Sequence, residues 1–126
     1  GAPRLRAHHL GEAVRRRQEL LDASAAVFEV VDLLLTPTTP TTAYVAEGTL
    51  TGMVDGVEVD LLYLSAPFTA PFNMTCQPGM SIPAGLVGGM PVGMQAVARR
   101  LEDELCLAAG AVLEAVCPWP KFAPGS

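Results

Sequence analysis

Charged side chains are scarce in this sequence, and lysine is nearly missing. Asp, Glu, Lys and Arg supply 17% of the 126 residues, and the one lysine is Lys121. The formal net charge is −5. A nucleic-acid surface needs a basic footprint, and the only basic cluster, Arg15-Arg16-Arg17, reads as one solvated face of a helix. No apolar run reaches the ~18 residues of a membrane span, and the first residues lack the basic, apolar and cleavage-site pattern of a signal peptide. Neither nucleic acid nor a membrane is therefore expected as a partner. Cysteines are few as well. Cys76, Cys106 and Cys117 are odd in number and lack C-x-x-C spacing, which argues against a disulfide framework or a zinc site. Reduced, partly buried thiols in a cytoplasmic setting are the expectation. His8 and His9 are adjacent, so on a helix they point about 100° apart and cannot share a metal. No metal or cofactor is expected.

What is present is apolar. Half the residues are hydrophobic and the mean hydropathy is positive, a composition unlike that of disordered chains. So little charge to cover the outside points to a piece of a larger core, or to an oligomer. The length fits one compact domain and not two.

Helical spacing of Leu10, Val14, Leu21, Ala25 and Phe28 predicts a helix over Leu10–Val31. The apolar run Val30–Leu35 predicts a strand buried on both faces, ended by Pro37 and Pro40. Leu50–Val59 reads as a hairpin turning at Asp55-Gly56. Leu61–Phe72 is apolar but carries Pro67 and Pro71, which suits a short or irregular helix. Met80–Pro83 and Pro91–Ala98 read as strands joined through Gly85, Gly88 and Gly89. Glu102–Val116 predicts a second long helix. Leu101, Leu105, Ala108, Val112 and Val116 form its apolar face, and Glu102, Asp103 and Glu104 lie at the N-terminal end where the helix dipole favours negative charge. Alternating helices and buried strands give an α/β class. The three apolar runs are expected in one sheet, flanked by the two long helices.

Known catalytic spacings are missing. There is no G-x-G-x-x-G, P-loop or H-E-x-x-H motif, and Gly85-Leu86-Val87-Gly88-Gly89 reads as a turn. The serines are Ser24, Ser65, Ser81 and Ser126. Ser24 falls mid-helix, Ser81 in a strand and Ser126 at the terminus, and Ser65 suits a helix cap. None has a base at readable spacing.

Three stretches, in order, resemble the C-terminal third of the amidase signature family. The first is Asp32-Leu33-Leu34-Leu35-Thr36-Pro37-Thr38-Thr39-Pro40 with Ala43. The second is Pro67-Phe68-Thr69-Ala70-Pro71-Phe72-Asn73-Met74-Thr75, then Gln77-Pro78. The third is Ser81-Ile82-Pro83-Ala84-Gly85, then Gly89-Met90-Pro91-Val92-Gly93-Met94-Gln95. With the acidic Glu102-Asp103-Glu104 and Pro118-Trp119, the likeness runs from about Leu10 to Trp119. The Pro-Phe-Thr-Ala-Pro-Phe-Asn run and the Pro-Trp pair are similar to the bacterial branch that includes cyclic-amide and nylon-oligomer hydrolases. Cys76 departs from the glycine usual in the family. It reads as one small residue for another, because no electropositive neighbour that would activate a thiol is visible nearby.

The resemblance implies the C-terminal part of an amidase-type mixed sheet flanked by helices, with all of residues 1–126 in one segment and 118–126 a loose tail. It implies amide hydrolysis through a serine acyl-enzyme, served by a cis-serine and a lysine and by backbone donors for the oxyanion. A hydroxyl needs such a base, and an oxyanion such donors. In the family these elements lie upstream of the matched region, so no catalytic residue is assigned and the chain is expected to be inactive alone. The family's acyl-pocket wall falls on Tyr63 to Ala70, which makes Tyr63, Ala66 and Ala70 candidate substrate-binding residues; ordinary core packing is the competing reading for each. Asn73 is expected to be a buried structural hydrogen-bonder. The expected partners are the remaining N-terminal part of an amidase, or a second copy of the chain, and a small amide substrate for the parent enzyme. Two rival readings stay open: a non-catalytic module that kept the fold, and part of the A-type subunit of glutamyl-tRNA amidotransferase.

Overall fold

The computed structural model describes residues 6–44, 47, 51–60 and 65–119. Helix α1 spans Ala7–Phe28. Then come strands β1 (Leu34–Pro37), β2 (Thr51–Val54) and β3 (Val57–Asp60), the short helix α2 (Ala70–Thr75), strands β4 (Gly79–Val87) and β5 (Met90–Val97), and helix α3 (Asp103–Val116). Helices and antiparallel strands combine in an α/β arrangement. A three-stranded sheet has the order β1-β5-β4, and β2-β3 is a separate two-stranded ribbon. All ladders among the described residues are antiparallel.

Both hairpins turn where two adjacent residues accept positive φ. Asp55 (φ 50°) and Gly56 (φ 78°) join β2 to β3, and Gly88 (φ 58°) and Gly89 (φ 81°) join β4 to β5. Such turns match the right-handed twist of the flanking strands. β4 runs further than the expected Met80–Pro83. It reaches Val87 through a register irregularity between Pro83 and Leu86, where Gly85 takes φ 101°. Gly85 is thus a bulge residue within the strand, and the turn itself needs only Gly88 and Gly89.

The expected apolar run Val30–Leu35 enters the sheet late. The N–H groups of Val30 and Val31 donate back to the Val27 carbonyl, at 3.1 and 3.3 Å. They therefore finish the last turn of α1 and are not free to pair. Pro37, expected to stop the strand, lies inside it opposite Met94. An edge strand tolerates a residue without an amide donor, and Thr38 resumes the bonding with its N–H to the Gly93 carbonyl at 3.0 Å. Being at an edge, β1 is not buried on both faces: Leu34 is half-buried and Leu35 exposed.

The core gathers at the open base of the β4–β5 hairpin. Ile82, Ala96, Val97, Ala98, Phe28 and Cys106 are buried there with the polar Thr75 and Gln95. One sheet face carries Leu35, Ala96 and Met80 in one row and Pro37, Met94 and Ile82 in the next. α3 packs on this face, so closely at Gly110 that an added Cβ would lie 2.0 Å from the Met80 Cε. The buried Cys106 Sγ lies 3.6 Å from the carbonyls of Pro78 and Ala96, and burial pushes this thiol up from its ordinary pKa.

Of the apolar face read for α3, Leu105 is half-buried, Ala108, Val112 and Val116 are exposed, and Leu101 falls before the helix. Leu101 is 91% exposed, Val112 63% and Val116 70%. Cys106 and Gly110 face the sheet instead. α1 repeats the pattern: Leu10 and Val14 are exposed while Phe28 is buried. An apolar stripe is buried only where something lies against it, and β4–β5 offers α3 a single side.

Arg99 fastens the two ends of this arrangement. Its guanidinium donates to the carbonyls of Phe28 (2.9 Å) and Val31 (3.1 Å) and to Asp32 Oδ1 (3.1 Å). Glu102 Oε2, which makes no hydrogen bond, is 3.6 Å from the same guanidinium. A cation at a helix C-terminus also meets the negative end of the dipole.

Candidate functional site

Two of the three candidate substrate-binding residues, Ala66 and Ala70, meet at the entry to α2. The Ala66 carbonyl accepts the N–H of Ala70 at 2.8 Å and that of Thr69 at 3.2 Å. Ala66 and Ala70 are therefore one helical turn apart on the same side, and both are half-buried. Tyr63 lies outside the described residues. Pro71 stands in the first turn of α2, where its missing N–H is no loss. Thr69 is the N-cap residue, and Cys76, in the left-handed region at φ 57°, closes the helix. Asn73, expected to be buried, is exposed: it falls on the outer side of this short helix, whose inward residue is Thr75.

Behind this turn lies the second face of the sheet, and it is polar. Thr36, Gln95 and Ser81 stand side by side on β1, β5 and β4. The Ser81 and Thr38 hydroxyls are 2.9 Å apart, and an added Cβ on Gly93 would approach each to 2.8 Å. Gln95, 5% exposed, donates from Nε2 to Thr36 Oγ1 (3.1 Å) and to the Phe68 carbonyl (2.9 Å). Sequence reasoning had no role for Gln95, although a lone amide in Met90–Val97 was a visible anomaly.

Two further corrections concern the α1–α2 contact. Arg15 and Arg16 pair with Glu19 and Glu12 on the solvent side, but Arg17 leaves that face. Its Nε donates to the Met74 carbonyl at 2.8 Å, and Nη2 lies 3.7 Å from Cys76 Sγ. Cys76 therefore has a cationic neighbour that its flanking sequence does not reveal, because the two residues are 59 apart. It is also exposed, as is Cys117, and only Cys106 is buried. Ser24, mid-helix as expected, donates to Gln77 Oε1 at 2.5 Å, and Thr75 Oγ1 donates to the same oxygen at 2.7 Å. A groove of about 630 Å³ beside this network is lined by Ser24, Phe28, Gln77 and Arg99 among others. A second groove, of about 590 Å³, runs past Pro83, Leu113 and Trp119. Neither includes Ala66 or Ala70.

This geometry positions and packs, and neither Ser24 nor Ser81 is an activated nucleophile in it. Ser24 meets an amide and Ser81 a hydroxyl, and neither partner is a base. Lys121 lies outside the described residues. Among the described residues no group of three or more His, Cys, Asp or Glu could hold a metal ion, and no helix is long and apolar enough to cross a membrane.

The family model for amidases matches residues 2–107. The chain belongs to the amidase family. The A-type subunit of the glutamyl-tRNA(Gln) amidotransferase of Lactococcus lactis subsp. cremoris (strain SK11) is 38% identical over 119 residues, which cover 92% of this chain and 23% of that protein. A solved amidase superposes with a TM-score of 0.80 at 31% identity, over 89% of this chain and 26% of the amidase. A 6-aminohexanoate cyclic dimer hydrolase, the cyclic-amide type of relative expected from the sequence, gives 0.69 at 28% identity, over 96% of this chain and 27% of its own. The chain thus spans about a quarter of the length of these amidase-family relatives.

Proposed function

We propose that this chain serves as the C-terminal portion of an amidase that hydrolyses carbon–nitrogen amide bonds through a serine acyl-enzyme. Its own contribution is scaffold and one wall of the substrate pocket, at Ala66 and Ala70 and at the undescribed Tyr63. The observation that carries this reading is a family match over residues 2–107 on a chain whose Ser24 and Ser81 meet an amide and a hydroxyl. The exposed apolar stripes of α1 and α3 are the surfaces that the remaining amidase domain, or a second copy of the chain, covers. Unpaired thiols fit a cytoplasmic setting.

The purified chain is expected to leave acetamide, anilides and a cyclic amide unhydrolysed. Turnover that survives removal of contaminating full-length enzyme and titrates with a serine-directed inhibitor would overturn the reading. The 38% identity to an A-type amidotransferase chain favours a second reading, in which the parent is a chain of that type, working with a partner on glutaminyl-tRNA formation. The parent's preference separates the two: simple amides hydrolysed by the parent alone mark the hydrolase, and glutamine hydrolysed only alongside partner chains marks the amidotransferase.

A further inference from the structure

We infer that Gln95 is a positioning residue for the pocket wall: its buried side-chain amide holds the backbone of residues 66–70 against the sheet. The inference rests on the proposed function only in treating that segment as a substrate-pocket wall. Gln95 sits on β5, the central strand of the sheet, and is 5% exposed. Both hydrogens of its Nε2 are directed. One goes sideways to Thr36 Oγ1 on β1, and the other out of the sheet to the Phe68 carbonyl.

The Phe68 carbonyl lies inside the turn that sets Ala66 against Ala70. Within that turn the Ala66 carbonyl is the hub, accepting from Thr69 N, Ala70 N and Thr69 Oγ1. These bonds are local and fix only the internal shape of the turn. The bond from Gln95, 27 residues away, ties that shape to a rigid strand. A buried amide with two acceptors in place specifies one position, whereas a half-satisfied one does not. Ala66 and Ala70 have no long side chains with which to adapt, so the accuracy of their part of the wall depends on where the backbone is held.

Hydrogen exchange of the 126-residue chain tests this. In Gln95→Met, which keeps length but removes both donors, the Thr69 and Ala70 amides are expected to exchange about 10-fold faster, the scale of one lost buried hydrogen bond. The β4–β5 ladder amides are expected to keep their protection. Thr36→Val removes the other acceptor, leaves the amide half-satisfied, and is expected to loosen residues 66–70 by less than Gln95→Met does. Gln95→Glu serves as the rescue. Its cross-sheet neighbours Thr36 and Ser81 and the carbonyl it meets are uncharged, so the new carboxyl is the group that titrates. Once intrinsic rates are corrected for, residues 66–70 should be loose when it is ionised and tighten when it is protonated, because only the acid can donate to Phe68. Unchanged exchange at Thr69 and Ala70 in Gln95→Met, or an equal loss there and in the ladder with no pH-dependent recovery in Gln95→Glu, overturns the inference. These outcomes are read without substrate. The pocket reading fails by a separate result, namely an Ala70→Trp change that leaves the KM of the parent amidase unaltered.

Discussion

The two ends of the β4–β5 hairpin are built from the same kinds of residue and have opposite fates. At the base, Ile82, Ala96 and Val97 are almost sealed from solvent, whereas at the tip Leu86, Val87 and Met90 are exposed. The backbone ladder is continuous between them apart from the bulge at Gly85. The difference lies in what surrounds each end. Phe28 from α1, Thr75 from α2, Cys106 from α3 and the Arg99 bonds all converge on the base. Beside the tip there is instead an open groove, which Val87 shares with Pro40, Thr41 and Thr42. Burial here follows from neighbours, not from residue type.

The largest effect is expected at the base. Ile82→Ala should cost about 2–4 kcal/mol through lost contacts and a residual cavity, read as a lowered urea midpoint. Leu86→Ala at the tip should fall within about 0.5 kcal/mol of the parent. Equal costs at the two positions would mean that the tip is covered in solution and would break the comparison.

Next comes the clamp. Arg99→Met removes the donors to the Phe28 and Val31 carbonyls and should cost about 1–3 kcal/mol. Asp32→Asn should cost under about 1 kcal/mol, because that carboxylate is solvent-exposed. The same denaturation series checks both.

A third test addresses the uncovered stripe. At micromolar concentration the chain is expected to sediment as a self-associated species, because exposed apolar patches of this kind seek burial. Val112→Lys with Val116→Lys should return it to monomer with little change in secondary structure. A monomeric, dye-negative parent chain would sink this expectation.

The smallest effect concerns thiols. Burial raises the Cys106 pKa, so its thiolate fraction at any pH is below that of a free thiol. Labelling at pH 8 should modify the exposed Cys76 and Cys117 first, with Cys106 slower by about 10-fold or more. In linkage terms the neutral Cys106 favours the folded state. That contribution is fully present below the unfolded thiol's pKa and is lost as pH rises through the folded one. A stability maximum on the alkaline side would contradict the sign.

Local chemistry was legible in the sequence, and long-range partnership was not. The Asp55-Gly56 turn, the hairpin around Gly88-Gly89, both long helices and the membership of the sheet follow from turn residues and periodicity, which act over a few positions. The stripe on α3 is apolar as read, yet Ala108, Val112 and Val116 lie exposed, since periodicity records what a helix is made to face and not whether that partner is among the described residues. The start of β1 was misplaced because Val30 and Val31 complete a helical turn, and an apolar run does not distinguish the two uses. Of the candidate site, Ala66 and Ala70 come together as a turn would place them. Gln95, Arg17 beside Cys76 and Arg99 at the end of α1 depend on contacts 27 to 71 residues apart, which no local pattern encodes.

The strand order carries a consequence for how the molecule comes into being. β1 is made early, yet its only described neighbour is β5, with Leu34 facing Val97. During synthesis, at roughly 5–20 residues per second, β1 must wait several seconds for the strand that completes it. Throughout that interval the ladder partner it has among the described residues does not yet exist. Arg99, which ties down the end of α1, emerges later still. The early third of the chain is therefore tied to its last third, by the β1–β5 ladder and by the Arg99 bonds to the end of α1.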